Sequence, residues 1–177
     1  MRFNKIMMAL TMVLAIFAST ALQAQDNKAQ RPSPPKTVVR QLDSLSINVV
    51  YNAPSVKGRS IWGALVPYGK VWRTGANEAT TFEVNKSVII EGQKLAAGKY
   101  SLFTIPGEKE WTVIFNKEAS QWGAYSYKKE MDALRVSVKP GKSKLFVEQL
   151  AIDVSEKGEV SVAWENVQIS FEVKEAK

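Results

Sequence analysis

The sequence predicts an all-β domain, an antiparallel β-sandwich of jelly-roll-like or immunoglobulin-like form. Three observations point there. Apolar residues recur with a period of two in several short runs, the pattern of strands with one buried and one wet face. Turn-forming clusters separate these runs at near-regular spacing, as in sandwiches and barrels. The chain of 177 residues contains no cysteine, so packing rather than disulfides must hold the fold.

Taken in order, the chain opens on Arg2 and Lys5, followed by an apolar run over residues 6–17 that only Thr11 interrupts. Ala18, Ser19, Thr20 and Ala21 then supply small residues. This is the plan of a cleavable signal peptide over residues 1–24, cut after Ala24 or, alternatively, after Ala21. The run falls short of the roughly 20 apolar residues of a spanning helix, so no membrane span is expected after cleavage. Residues 25–36 are polar and carry Pro32, Pro34 and Pro35, the composition of a disordered or extended leader. A single domain is expected over residues 37–177, exported to the periplasm or the medium.

Within that domain, Leu45, Ile47, Val49 and Tyr51 share one strand face. Further faces are formed by Tyr100 and Leu102, by Trp111, Val113 and Phe115, and by Leu134, Val136 and Val138. Val160, Val162 and Trp164 make another, and the pattern resumes after Glu165-Asn166 with Val167, Ile169, Phe171 and Val173. Turns are expected at Glu91-Gly92-Gln93-Lys94, Pro106-Gly107-Glu108-Lys109 and Ser155-Glu156-Lys157-Gly158. Only residues 117–133 read as a short helical or irregular segment.

Composition narrows function by exclusion. The chain lacks histidine as well as cysteine, which removes Ser-His-Asp and Cys-His catalysis and any imidazole or thiolate metal site. The Asp spacing of a calcium loop is missing too, and neither a metal nor a cofactor is expected. A formal net charge of +7 suits solvated surface lysines, or attraction to an acidic glycan or an anionic membrane face. No dense basic block with interleaved aromatics is present, so no nucleic-acid partner is expected.

One stretch abandons the alternation. Residues 51–80 combine four glycines, two prolines, Trp62, Trp72, Arg59 and Arg73. A loop this long inside a compact domain is uncommon, and when ordered it often binds something. Three of its runs are Pro54-Ser55-Val56-Lys57-Gly58-Arg59, Gly63-Ala64-Leu65-Val66-Pro67-Tyr68-Gly69 and Trp72-Arg73-Thr74-Gly75-Ala76-Asn77-Glu78-Ala79-Thr80. Together with Ala97-Gly98-Lys99-Tyr100-Ser101-Leu102, Ile105-Pro106-Gly107, Trp111-Thr112-Val113-Ile114-Phe115-Asn116 and Trp122-Gly123, they resemble the exported bacterial family called domain of unknown function 2911. The resemblance covers nearly all of the domain and implies export and a single β-rich unit. It brings no activity with it.

Two readings of the long loop compete. In the first, Lys57, Arg59 and Arg73 converge on an anionic or polyhydroxyl ligand, because the planar guanidinium fork matches carboxylate or phosphate. Asn77 and Glu78 orient the ligand, Trp72 or Trp122 forms a stacking wall, and Gln121-Trp122-Gly123-Ala124-Tyr125-Ser126-Tyr127 closes the other side. In the second, Trp62 and Trp72 fill the core, Arg59 and Arg73 pair with Glu78 or Asp132, and Asn77 bonds turn backbone. The function expected is binding of a small polar or anionic ligand, a saccharide or an organic anion. One alternative is a cell-envelope hydrolase with Glu78 as its catalytic carboxylate and Asp132 as partner. The other is a structural or protein-interaction module.

Overall fold

A computed structural model describes residues 30–177. The signal peptide expected over residues 1–24, and residues 25–29 of the leader, lie outside the described residues. Ten strands follow: β1 (Pro35–Leu42), β2 (Leu45–Asn52), β3 (Thr80–Val84), β4 (Val88–Ile90), β5 (Gln93–Leu95), β6 (Gly98–Ile105), β7 (Trp111–Asn116), β8 (Asp132–Val138), β9 (Gly141–Val154) and β10 (Glu159–Glu175). Their order is β1-β2-β3-β6-β7-β8 in one sheet and β5-β4-β10-β9 in the other. All strand pairs are antiparallel. The fold is an antiparallel β-sandwich.

The alternating residues make the interface between the sheets. Leu45, Ile47, Val49 and Tyr51 of β2 are buried, and so are Val160, Val162 and Trp164 of β10. Phe82 and Phe115 of the larger sheet meet Phe171 of the smaller, with ring centroids 6.3 and 5.8 Å away. Side-chain bonds lace both margins of the sandwich. On one, Arg40 donates from Nε to the Val154 carbonyl at 2.8 Å, and the Tyr51 hydroxyl accepts the Ile152 N–H at 3.1 Å. On the other, Gln93 donates to the Arg135 carbonyl at 3.4 Å.

β10 turns back on itself. The Val173 N–H donates to the Gly158 carbonyl at 2.9 Å, although fifteen steps of straight strand would separate them by about 50 Å. The midpoint falls at Glu165 and Asn166, and Glu165 takes φ 55°. Gly158 fits this fold-back because it adopts φ +83°, and a Cβ there would sit 2.3 Å from the Val173 carbonyl oxygen.

One segment differs in detail from expectation and one agrees with it. Pro35 and Lys36, placed by composition in the leader, are the first residues of β1. That strand lies at a sheet edge, where proline costs no ladder hydrogen bond. Residues 117–131 are irregular and end in one 3-10 turn, Lys129–Met131. This segment and the long loop after β2 cover the outer face of β6 and β7, where Phe103 and Ile114 are buried with Ala79 against Val71, Ala124 and Tyr127.

Candidate functional site

The distinctive motif is a loop pushed out between two neighbouring rungs of one ladder. Thr80 pairs with Leu102 of β6, whereas Trp72 pairs with Thr104, only two residues further along β6. Residues 73–79 therefore have no place in the sheet and stand off it. Three threonines, all fully buried, tie the neck. Thr80 donates from its N–H to the Arg73 carbonyl at 3.2 Å and from Oγ1 to the Thr74 carbonyl at 2.8 Å. The Thr74 and Thr104 hydroxyls share a bond of 3.1 Å. Thr74 holds φ 50°, which is strained for a β-branched residue and persists only because the neck fixes it. Gly75 is required by closeness: a Cβ there would lie 3.0 Å from the Asn52 carbonyl oxygen and 3.1 Å from Thr80 Oγ1.

The second aromatic loop docks on the first through backbone. The Ala79 N–H donates to the Gln121 carbonyl at 2.9 Å, and the Gly123 N–H donates to the Asn77 carbonyl at 3.0 Å. Glu78 and Trp122 face each other as an isolated bridge. Beneath this contact Asn116 acts as a hub. Its Nδ2 donates to the Lys128 carbonyl at 2.9 Å and to Asp132 Oδ1 at 2.8 Å, while its Oδ1 accepts from Gln121 Nε2 at 3.2 Å. Asp132 Oδ2 accepts from the Tyr127 hydroxyl at 2.6 Å and from Arg135 Nε at 2.7 Å.

The candidate residues named from sequence separate into different environments. Trp72 is 8% exposed and packs in the core with Trp62, Trp111 and Trp164, and its indole N–H donates to the Gly75 carbonyl at 3.1 Å. It offers no wall to a ligand from solvent. Arg59 folds back on its own loop, donating to the Val56 and Ser55 carbonyls, so it pairs with neither Glu78 nor Asp132. Lys57 is exposed, and its backbone N–H is held by Glu148. Asn77 donates to the Ser33 carbonyl at 3.2 Å, and Glu78 accepts from Asn52 at 3.2 Å. Asp132, weighed as a partner for Glu78, has both oxygens engaged by Asn116, Tyr127 and Arg135.

Arg73 and Trp122 are the exceptions. Arg73 Nε is buried and has no hydrogen-bond partner. Burial pulls the guanidinium below the usual arginine value, with the nearby Tyr125 phenol opposing. Trp122 is 58% exposed and Tyr125 86%. Trp122 also lines a cleft of about 420 Å³ with Asn116, Glu118, Gln121, Ser126 and Lys128. Gln121 presents a second buried orphan there, its Oε1. Gln121 and Tyr125 belong to the run expected to close the site, although the sequence singles out only Trp122 of that run as a binding residue and does not single out Lys128 at all. The signal that marks them is the run of aromatic and small residues after Trp122, in a segment with no strand period.

The Tyr127 phenol is pushed up to about 12, by burial first and then by its bond to Asp132, against the opposing Arg135. A raised phenol pKa contributes stability that is complete below the ordinary value near 10 and is lost as pH climbs through the folded value. The unfolding free energy is thus expected to fall between about pH 10 and about pH 12 in denaturant titrations at stepped pH. The fall should be shallower in Tyr127→Phe. Burial raises Tyr51 and Tyr100 as well, so some slope should remain.

No curated protein and no solved structure matches the chain. The family described as protein of unknown function DUF2911 matches over residues 33–173. That span takes in both sheets, the neck threonines and the two docked loops, and the chain belongs to the DUF2911 family.

Proposed function

We propose that this domain, exported from the cytoplasm, binds a small polar ligand carrying an anionic group, an organic acid or an acidic saccharide. The ligand sits where residues 73–79 meet residues 121–127. The observation that carries this reading is Arg73, a half-buried arginine whose buried Nε has no hydrogen-bond partner. A buried donor without an acceptor costs about 1–3 kcal/mol, and more when the group is charged. Elsewhere on this loop the polar groups of Thr74, Asn77, Glu78 and Thr80 have partners. The strained neck holds Arg73 in place with Nε buried, which leaves the terminal guanidinium nitrogens to give a carboxylate two parallel bonds. The exposed Tyr125 lies near Arg73. The cleft lined by Trp122 on the same docked loop, which Arg73 itself does not line, has room for the uncharged remainder of the ligand.

Thermal shift of the full chain against galacturonate, glucuronate, citrate and phosphate, with galactose as the neutral control, tests this. Saturating the site about a hundredfold above Kd should stabilise the protein by about 2.7 kcal/mol, or roughly 5–10 °C. Arg73→Met keeps the apolar stem and removes the charge. It should abolish the response while leaving the unliganded melting temperature equal or slightly higher, since an unpaired desolvated cation is lost. A variant that melts far below wild type without ligand would make Arg73 a structural residue and defeat the proposal. So would an undiminished response in Arg73→Met.

A further inference from the structure

The β9–β10 ladder contains a knuckle where β9 passes the fold-back of β10 at Glu165 and Asn166. β9 advances from Lys142 to Val147 while β10 steps only from Val167 to Glu165, so Ser143, Lys144, Leu145 and Phe146 are squeezed out of register. Ser143 is buried and pins the base, donating from Oγ to the Leu145 carbonyl at 2.6 Å and to the Glu165 carbonyl at 3.3 Å. The result is a projecting tip on which Leu145 is 79% exposed and Phe146 55%. Lys144 gives the bulge the charge that guards a sheet edge, but edge protection does not require the two large apolar side chains beside it. Two large apolar side chains held out in water by a buried serine call for a surface to enter.

The charges beside the tip indicate which surface. Lys139, Lys142 and Lys144 are exposed next to it. Lys57 and Arg59 stand on the loop whose Val56 N–H donates to the Glu148 carbonyl of β9 at 2.8 Å. The acids in the same region are Glu148, already bonded to the Lys57 N–H, and Glu165. We infer that this knuckle docks the domain on an anionic lipid surface, with Leu145 and Phe146 entering the headgroup boundary and the lysines facing phosphate. Paired apolar and basic residues are the combination such binding needs, since neither signal alone holds a protein firmly. A second copy of this chain is disfavoured as occupant. Two such tips would bring lysines against lysines, and a narrow knuckle supplies far less than the roughly 800 Å² per partner of a stable interface.

The chain has no cysteine, so a single introduced thiol can carry a reporter. Full-length L145C labelled with an environment-sensitive dye is mixed with vesicles of phosphatidylglycerol and phosphatidylcholine. The dye should shift to the blue, and do so much less with phosphatidylcholine alone or at high salt. The same dye on K157C, an exposed position in the turn between β9 and β10, should not move. In sedimentation, Leu145→Ser combined with Phe146→Ser should weaken partition onto the anionic vesicles by about tenfold. Residues 1–29 are common to all these proteins, so the difference between the dye at position 145 and at the control position, rather than the bound fraction alone, reports on the knuckle. A chain that sediments while the dye at position 145 stays unshifted would overturn the inference. A blue shift that grows with protein concentration without vesicles would replace lipid by a second copy. An equal shift with a soluble polyanion such as polygalacturonate would replace it by an acidic glycan.

Discussion

Replacing Trp164 with alanine should destabilise the domain by about 4 kcal/mol, roughly 8–16 °C in melting temperature for a chain of this size. Trp164 is 1% exposed and lies just before the fold-back of β10. Its ring stacks on Trp72 at 5.9 Å with an interplanar angle of 16°, and meets Trp62 edge-on at 5.9 Å. Removing it opens a cavity that rings fixed on opposite sheets cannot collapse to fill. Its indole N–H is buried without an acceptor, so the residue contributes volume and ring contact but no hydrogen bond. Trp164→Phe should therefore retain much of the stability that alanine loses. Equilibrium unfolding in denaturant reads both, and an alanine variant within about 1 kcal/mol of wild type would contradict the packing described.

The second large effect is expected at Asp132. Its side chain is 8% exposed and accepts from Asn116, Tyr127 and Arg135 together. Asp132→Ala leaves a cation, a phenol and an amide without their common acceptor, at a cost of about 3 kcal/mol. The loss should be local as well as global. Residues 117–131 close onto β7 and β8 through this carboxylate, so limited proteolysis should cut that loop in the variant before the sheets. Asp132→Asn keeps one acceptor oxygen and should fall between the two. If the alanine variant left the loop as resistant as wild type, Asp132 would not be its anchor. Were it instead a catalytic partner of Glu78, the fold would be indifferent to its loss.

The sequence disclosed the sandwich because most strands have one wet face. It disclosed less where that condition fails. β1 is a sheet-edge strand in which no residue is fully buried. Val38 packs on the core and Val39 faces solvent, yet both can be valine, so the sequence shows no alternation there. In β9 the knuckle resets the alternation, and only Leu150, Ile152 and Val154 keep it. β6 and β7 are covered on both faces, which puts Phe103 and Ile114 where polar residues were due. The motif of residues 72–80 was recognisable as one unit, but not which of its groups would find partners. Asn77 and Arg59 are consumed by carbonyls that only the fold brings near, whereas Arg73 is left over by the same geometry. Trp72 reads like Trp122 in sequence. A pairing with Thr104 turns one into the core, and a docked loop turns the other outward.

The order of the strands also sets a timetable for assembly. β4 and β5 fall between β3 and β6 in the chain, yet they belong to the other sheet, where β4 pairs with β10 through Ile90 and Val173. As the chain emerges from its amino end, the larger sheet can pair through β8 while the smaller one still lacks two of its four strands. During that interval Phe82 and Phe115 have nothing to cover them, because Phe171 arrives almost last. Long-range pairing of this kind is slow and leaves apolar surface open to other chains. The arrival of β10 therefore decides when the newly made domain stops being a target for aggregation and proteolysis.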